Sequence, residues 1–93
     1  MIEMPKLPEG RRWSITFADK ITVHYLFISA HVTFLYGTSW IVDEDYPEIE
    51  VSVDYNSTEE EIKKALSEEA HRVMGDYNMK RELEAKLNGW ANG

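Results

Sequence analysis

The stretch Tyr25-Leu26-Phe27-Ile28-Ser29-Ala30-His31-Val32-Thr33-Phe34-Leu35-Tyr36 contains no Asp, Glu, Lys or Arg and is dominated by aromatic and branched aliphatic side chains. Such residues suit a pleated, half-buried surface, so the stretch reads as strand. A reversal is read near its centre, at Ser29-Ala30. Phe27 then lies opposite Val32, and Tyr25 opposite Phe34. Ser-Ala lacks the chemistry of a two-residue hairpin, so the expected turn is wide or bulged. The charge-free run extends from Ile21 to Val42, long enough to cross a bilayer as a helix. It nevertheless includes His24, His31, Gly37 and several Ser and Thr, and its apolar residues alternate with others. Strands are the better reading.

On the N-terminal side, Trp13, Ile15 and Phe17 alternate with Ser14 and Thr16. A turn at Ala18-Asp19-Lys20 pairs Phe17 with Ile21, Ile15 with Val23 and Trp13 with Tyr25, placing six large apolar residues on one face. Residues 1–10 form an extended arm, because Pro5 and Pro8 disfavour helix. On the C-terminal side, Gly37-Thr38-Ser39 supplies a turn that brings Tyr36 to Trp40 and Phe34 to Val42. Beyond the acidic loop 43–47, Ile49, Val51, Val53 and Tyr55 alternate with Glu50, Ser52 and Asp54 in the clearest half-buried strand of the chain.

Ser57 with Glu60, or Thr58 with Glu61, makes a capping box, and Glu59 to Glu61 carry negative charge where the helix dipole favours it. Ile62, Ala65, Leu66, Ala70, Val73, Met74 and Tyr77 follow at helical spacing, interrupted by Glu69. Gly75-Asp76 is expected to end or bend this helix. A short second helix then runs from about Asn78 to Asn88 with Met79, Leu83 and Leu87 on one side, Gly89 as its cap and Trp90 folding back. The expected class is α+β, with residues 11–93 one domain: an antiparallel meander of four to five strands on a long C-terminal helix, followed by a short one.

This register puts Trp13, Ile15, Phe17, Ile21, Val23, Tyr25, Phe27, Val32, Phe34, Tyr36, Trp40, Val42, Ile49, Val51 and Val53 under the long helix. The opposite face then collects Leu26, Ile28, Leu35 and Ile41 beside Thr16, Thr22, His24, His31 and Thr33. Four aliphatic residues are more than a fully solvated face carries, so the second helix, a partner or a second copy of the chain is expected to cover them. A homodimer through this face is one such reading.

The 93 residues carry a formal charge of −7 and no cysteine. Disulfides, thiolate metal sites and cysteine nucleophiles are thereby excluded, and a reducing, cytoplasmic setting is expected. The opening Met1-Ile-Glu-Met-Pro lacks the basic and apolar regions of a signal peptide. Fourteen acids and six bases lie between Asp43 and Gly93, and residues 43–61 hold nine acids without a base. Such a field repels phosphates, so direct nucleic-acid binding is not expected, Arg11 and Arg12 being the sole local counter-signal.

The acids Asp43, Glu44, Asp45, Glu48, Glu50 and Asp54 have two readings: a phosphate-like stripe that occupies another protein's nucleic-acid site, or a solvated loop and a charged strand edge. No cofactor or dedicated metal site is expected. Tyr46-Pro47 breaks the calcium-loop pattern after Asp43-Glu44-Asp45, and His24 with His31 offers two ligands at most. The chain has no nucleophile elbow, phosphate loop, dinucleotide fingerprint or His-Glu-x-x-His helix, which leaves a sheet histidine with a carboxylate as the candidate for enzymatic chemistry. His71 reads as a boundary residue.

The segment Leu7-Pro8-Glu9-Gly10-Arg11-Arg12-Trp13-Ser14-Ile15 resembles the start of small bacteriophage-encoded proteins, particularly those of actinobacterial phages. The likeness covers about a tenth of the chain. It implies an accessory protein that binds a host or phage macromolecule, and it transfers no site residue. The expected function is a non-catalytic protein-interaction module acting through Leu26, Ile28, Leu35 and Ile41, with an acidic inhibitor and a small enzyme as alternatives.

Overall fold

A computed structural model describes residues 2–18 and 24–93. Among them four strands, β1 (Arg11–Phe17), β2 (Tyr25–Tyr36), β3 (Ser39–Val42) and β4 (Ile49–Asp54), precede one helix, α1 (Glu59–Ala91). The chain is α+β, as its patterns indicate. Strand β2 is the centre of the sheet. It pairs antiparallel with β1 along one edge, while β3 and β4 share its other edge end to end.

The expected reversal at Ser29-Ala30 does not occur, because β2 runs through both residues without a break. Ser29 pairs with Thr16 and Glu50, and Ala30 with Ile15 and Ile49, so both are ordinary rungs of the ladder. Trp13 therefore faces Val32 rather than Tyr25, and Phe17 faces Ile28. The expected Ala18-Asp19-Lys20 turn and the pairings of Ile21 and Val23 fall largely outside the described residues. An uninterrupted strand keeps its parity, so Leu26, Ile28, Ala30, Val32 and Phe34 share one face. Phe27, His31, Thr33 and Leu35 share the other.

The turn after β2 is tighter than expected. Tyr36 pairs with Ser39, Leu35 with Trp40 and Phe34 with Ile41, leaving Gly37-Thr38 as a two-residue loop. Gly37 has φ +66°, and among the described residues no non-glycine residue has positive φ, the pattern of a type II′ hairpin turn. One residue fewer in the loop puts Trp40 and Val42 on the outer face and Ile41 on the helix face.

The helix packs on the face defined by Ile28, Ala30 and Ile49, where Leu66 and Ala70 complete a buried cluster. Trp13, Leu26, Val51, Val53, Ile62 and Val73 pack around it. The N-terminal arm joins them: Met4 packs on the core, the Trp13 indole N–H donates to the Pro5 carbonyl at 3.0 Å, and Ser67 Oγ donates to the Glu3 carbonyl at 2.6 Å. A turn at Pro8 to Arg11 feeds the arm into β1, and its third residue, Gly10, has φ +87° as a type II turn requires.

The capping box forms with Thr58. Its hydroxyl accepts from the Glu61 N–H, and the Glu61 carboxylate accepts from the Thr58 N–H. The expected second helix is absent as a separate element, because α1 continues through Gly75-Asp76 to Ala91 and is capped at Asn92. Glycine weakens a helix interior by only about 1 kcal/mol, less than the run of strong helix formers from Met79 to Leu87 restores. Thirty-three residues make a helix of about 50 Å. The molecule is 56 Å long with a radius of gyration of 16.1 Å, against about 12 Å for a compact chain of this size. The last buried side chain of α1 is Met74, and every residue from 78 to 93 is exposed.

The observed register makes a sharp prediction. Ile28→Ala should cost about 3 kcal/mol, whereas Leu35→Ala should cost under about 1 kcal/mol, although the sequence pattern assigns both to one face. Urea denaturation of the two variants measures the difference, and equal losses would contradict the continuous strand.

Candidate interaction surface

Arg11 and Arg12 are adjacent in β1 and therefore point to opposite faces of the sheet. Each is taken up by an internal contact. Arg11, on the helix face, donates from Nε to Asp43 Oδ2 at 2.7 Å, and its guanidinium lies 4.9 Å from the centre of the Phe34 ring. Arg12, on the outer face, reaches across β2 and stacks 3.8 Å from the centre of a Trp40 ring. Thr33 lies on β2 between them at 3% exposure, its hydroxyl bonded to Ser14 Oγ and to the Arg12 carbonyl. The outer face thus has its own small lid of Arg12 over Trp40.

These contacts divide the acidic window. Asp43 is buried in its ion pair, and its Oδ1 accepts the Asp45 N–H at 3.1 Å. The hydrogen bond from Arg11 holds its carboxyl below the ordinary aspartate value. Asp54 accepts the Asn56 N–H at the turn that precedes the helix. Glu48 meets His31 Nε2 at 3.4 Å on the outer face. Glu44, Asp45, Glu48, Glu50 and Asp54 remain exposed, distributed over a loop, an outer strand face and a turn.

The histidines are not brought together. His24 precedes β2 and His31 lies seven residues along the same extended run, roughly 20 Å away. His71 Nδ1 is 2.8 Å from the Ser67 carbonyl on the exposed flank of α1. Among the described residues no group of three or more His, Asp or Glu side chains has metal-binding spacing. No helix of the described chain is long and apolar enough to cross a membrane.

The expected apolar patch is likewise dispersed. Ile28 is 1% exposed and Leu26 packs on the same core, so the helix covers both. Ile41 lies on the helix face near the sheet margin, and Leu35 alone of the four remains exposed on the outer face. The continuous strand accounts for the whole redistribution, since the parity of Leu26 and Ile28 is set by the absence of a reversal.

Leu35, Trp40 and Val42 stay exposed on the outer face, and a second line of apolar exposure appears where α1 outruns the sheet. At the departure point Tyr77 packs against Tyr46 with ring centres 5.5 Å apart and the rings tilted by 36°, and Arg81 donates to the Tyr77 hydroxyl at 3.0 Å. These side chains, with Arg11, Asp43, Asp45 and Glu84, line an open polar cleft of about 520 Å³ whose charges are of both signs. Beyond it Met79, Leu83, Leu87 and Trp90 recur at intervals of four, four and three and are 54% to 83% exposed. At 3.6 residues per turn they form one stripe, rotated roughly 100° about the helix from the Leu66, Ala70 and Val73 face that meets the sheet. The sequence displays this stripe, but an expected break at Gly75 directs it back onto the sheet.

No family model, curated protein or solved structure matches the chain.

Asp43 makes stability depend on acid. Its lowered folded-state pKa contributes stability that is present above the unfolded aspartate value of about 4 and is lost as pH falls through the folded value. Asp43→Asn keeps an oxygen for the Asp45 N–H but loses the ion pair. It should be less stable than the wild type at pH 7, and the gap should narrow by pH 3 in paired urea titrations. A gap that stays constant would assign the loss to packing alone.

Proposed function

We propose that this chain is a non-catalytic protein-interaction module that engages protein through the distal half of α1. The observation that carries the reading is the stripe Met79, Leu83, Leu87 and Trp90, exposed on a helix with no tertiary cover beyond Tyr77. The four side chains expose roughly 500 Å² of largely apolar surface on one line, near the upper end of the patches that monomers carry. The flanks of the line are charged, as at the rim of a protein interface. Trp and Leu on a rigid helix supply large contact area at low conformational cost, the manner in which a helix engages an apolar groove or a second helix. The proximal half of α1 is clamped by the core and the arm, so the distal half is presented in a fixed direction. An accessory protein that binds a host or phage macromolecule, as the Leu7 to Ile15 segment implies, fits this use.

A photo-crosslinking side chain at position 83, and in a separate variant at position 85 on the opposite side of the helix, tests the reading in the native cell and with purified protein. Position 83 should crosslink to protein well above position 85, with the yield falling at least severalfold when Trp90 is replaced by Ala. Absence of any protein adduct from position 83, including adducts with the chain itself, would refute the reading.

A further inference from the structure

We propose that the partner of the distal stripe is a second copy of this chain, with the two helices packed antiparallel over residues 78–91. The inference rests on the reading of the distal helix as an interaction surface.

Charge selects the partner. The chain carries −7, yet residues 76–93 hold three acids, Asp76, Glu82 and Glu84, and three bases, Lys80, Arg81 and Lys86. The whole excess lies on the sheet and the first half of the helix. The distal segment is where two copies can meet without like-charge repulsion, and an antiparallel arrangement sends the acidic bodies to opposite ends of the pair.

The order of residues selects the direction. A two-fold axis crossing the stripe between Leu83 and Leu87 sets Met79 against the partner's Trp90 and Leu83 against the partner's Leu87, and repeats both contacts by symmetry. Glu82 and Lys86 lie on the same flank of the stripe. In antiparallel helices equal flanks meet, so Glu82 faces the partner's Lys86 and Lys86 faces the partner's Glu82. A parallel pair sets opposite flanks together and makes neither contact.

Area and access agree. Two stripes of roughly 500 Å² each bring the pair to about 1,000 Å² of buried surface, the threshold of a specific interface. The stripe is turned away from the direction of the sheet, so a second helix approaches from the side. The distal half lacks packing of its own and gains it in the pair.

Sedimentation equilibrium of the full chain should give twice the 10.8 kDa chain mass. Leu83→Glu with Leu87→Glu should give the single mass while the circular dichroism of the folded sheet and proximal helix persists, because both residues are solvent-exposed. The direction is tested by charge. Glu82→Lys and Lys86→Glu, each alone, should weaken self-association roughly tenfold, and an equimolar mixture of the two should recover it in mixed dimers. Intrahelical effects are the same in the mixture as in the separate variants, so recovery reports contacts between chains. A wild type that remains at 10.8 kDa up to about 1 mM overturns the inference. If position 83 still crosslinks another protein, the interaction reading survives that failure. Dimers that are indifferent to the charge changes overturn the antiparallel arrangement.

Discussion

The register of β2 governs the molecule. This strand supplies the hydrogen-bonding partner for β1 on one side and for β3 and β4 on the other, so its parity decides which side chains of all four strands face the helix. The helix face of β2 narrows at Ala30, which is fully buried, as is Ala70 on α1. Small side chains at the middle of both elements let the helix lie close to the sheet. Ile28, Val32, Ile49 and Leu66 fill the space around them. The core is compact, and the arm extends it through Met4 and through the Pro5 carbonyl that accepts from Trp13 of β1.

Much of this architecture is legible in the sequence, and the failures have definite causes. The strand Ile49–Asp54 announces itself because one parity is apolar and the other polar. The helix start is legible because both possible capping boxes, Ser57 with Glu60 and Thr58 with Glu61, begin the helix within one residue of the same place. Tyr25–Tyr36 is ambiguous because both of its parities are apolar, so a period of two cannot say whether the chain reverses. Ser29-Ala30 suggests a turn by being small, whereas Ala30 is small where the helix approaches and Ser29 is a rung of the outer face. Gly75 suggests a break in the same way. A glycine inside a helix costs less than the favourable residues around it supply, and here the helix passes through.

The misplaced apolar patch follows from those two errors. With β2 broken, Leu26 and Ile28 move to the outer face and form a patch with Leu35 and Ile41. With α1 broken, a second helix bearing Met79, Leu83 and Leu87 becomes one of three covers for that patch, beside a partner and a second copy. The continuous strand takes Leu26 and Ile28 to the core and the continuous helix carries Met79, Leu83 and Leu87 away from the sheet, so apolar surface is exposed along the distal helix as well as at Leu35, Trp40 and Val42. The acidic window divides for a different reason. Glu44, Asp45, Glu48, Glu50 and Asp54 are exposed where local sequence puts them, in a loop, on an outer strand face and at a turn. Asp43 departs from them because its partner, Arg11, is 32 residues away in the chain, beyond the reach of any local pattern.

The neighbouring arginines of β1 have a consequence for folding fidelity. Sliding an edge strand by one residue exchanges its two sides, and in most edge strands a polar residue replacing another polar residue hardly registers. Here a slip in one direction puts Arg12 in the place of Arg11 beside Asp43 but puts Trp13 in the place of Arg12, so the Trp40 ring loses the cation above it. A slip in the other direction puts Arg11 over Trp40 and Gly10 opposite Phe34, leaving Asp43 as an uncompensated charge with little access to water. Two identical residues therefore act as a two-sided key, cut differently on each side by the groups that wait for them. A strand with an open outer margin is held in alignment by the very side chains that a survey of the sequence would assign to solvent.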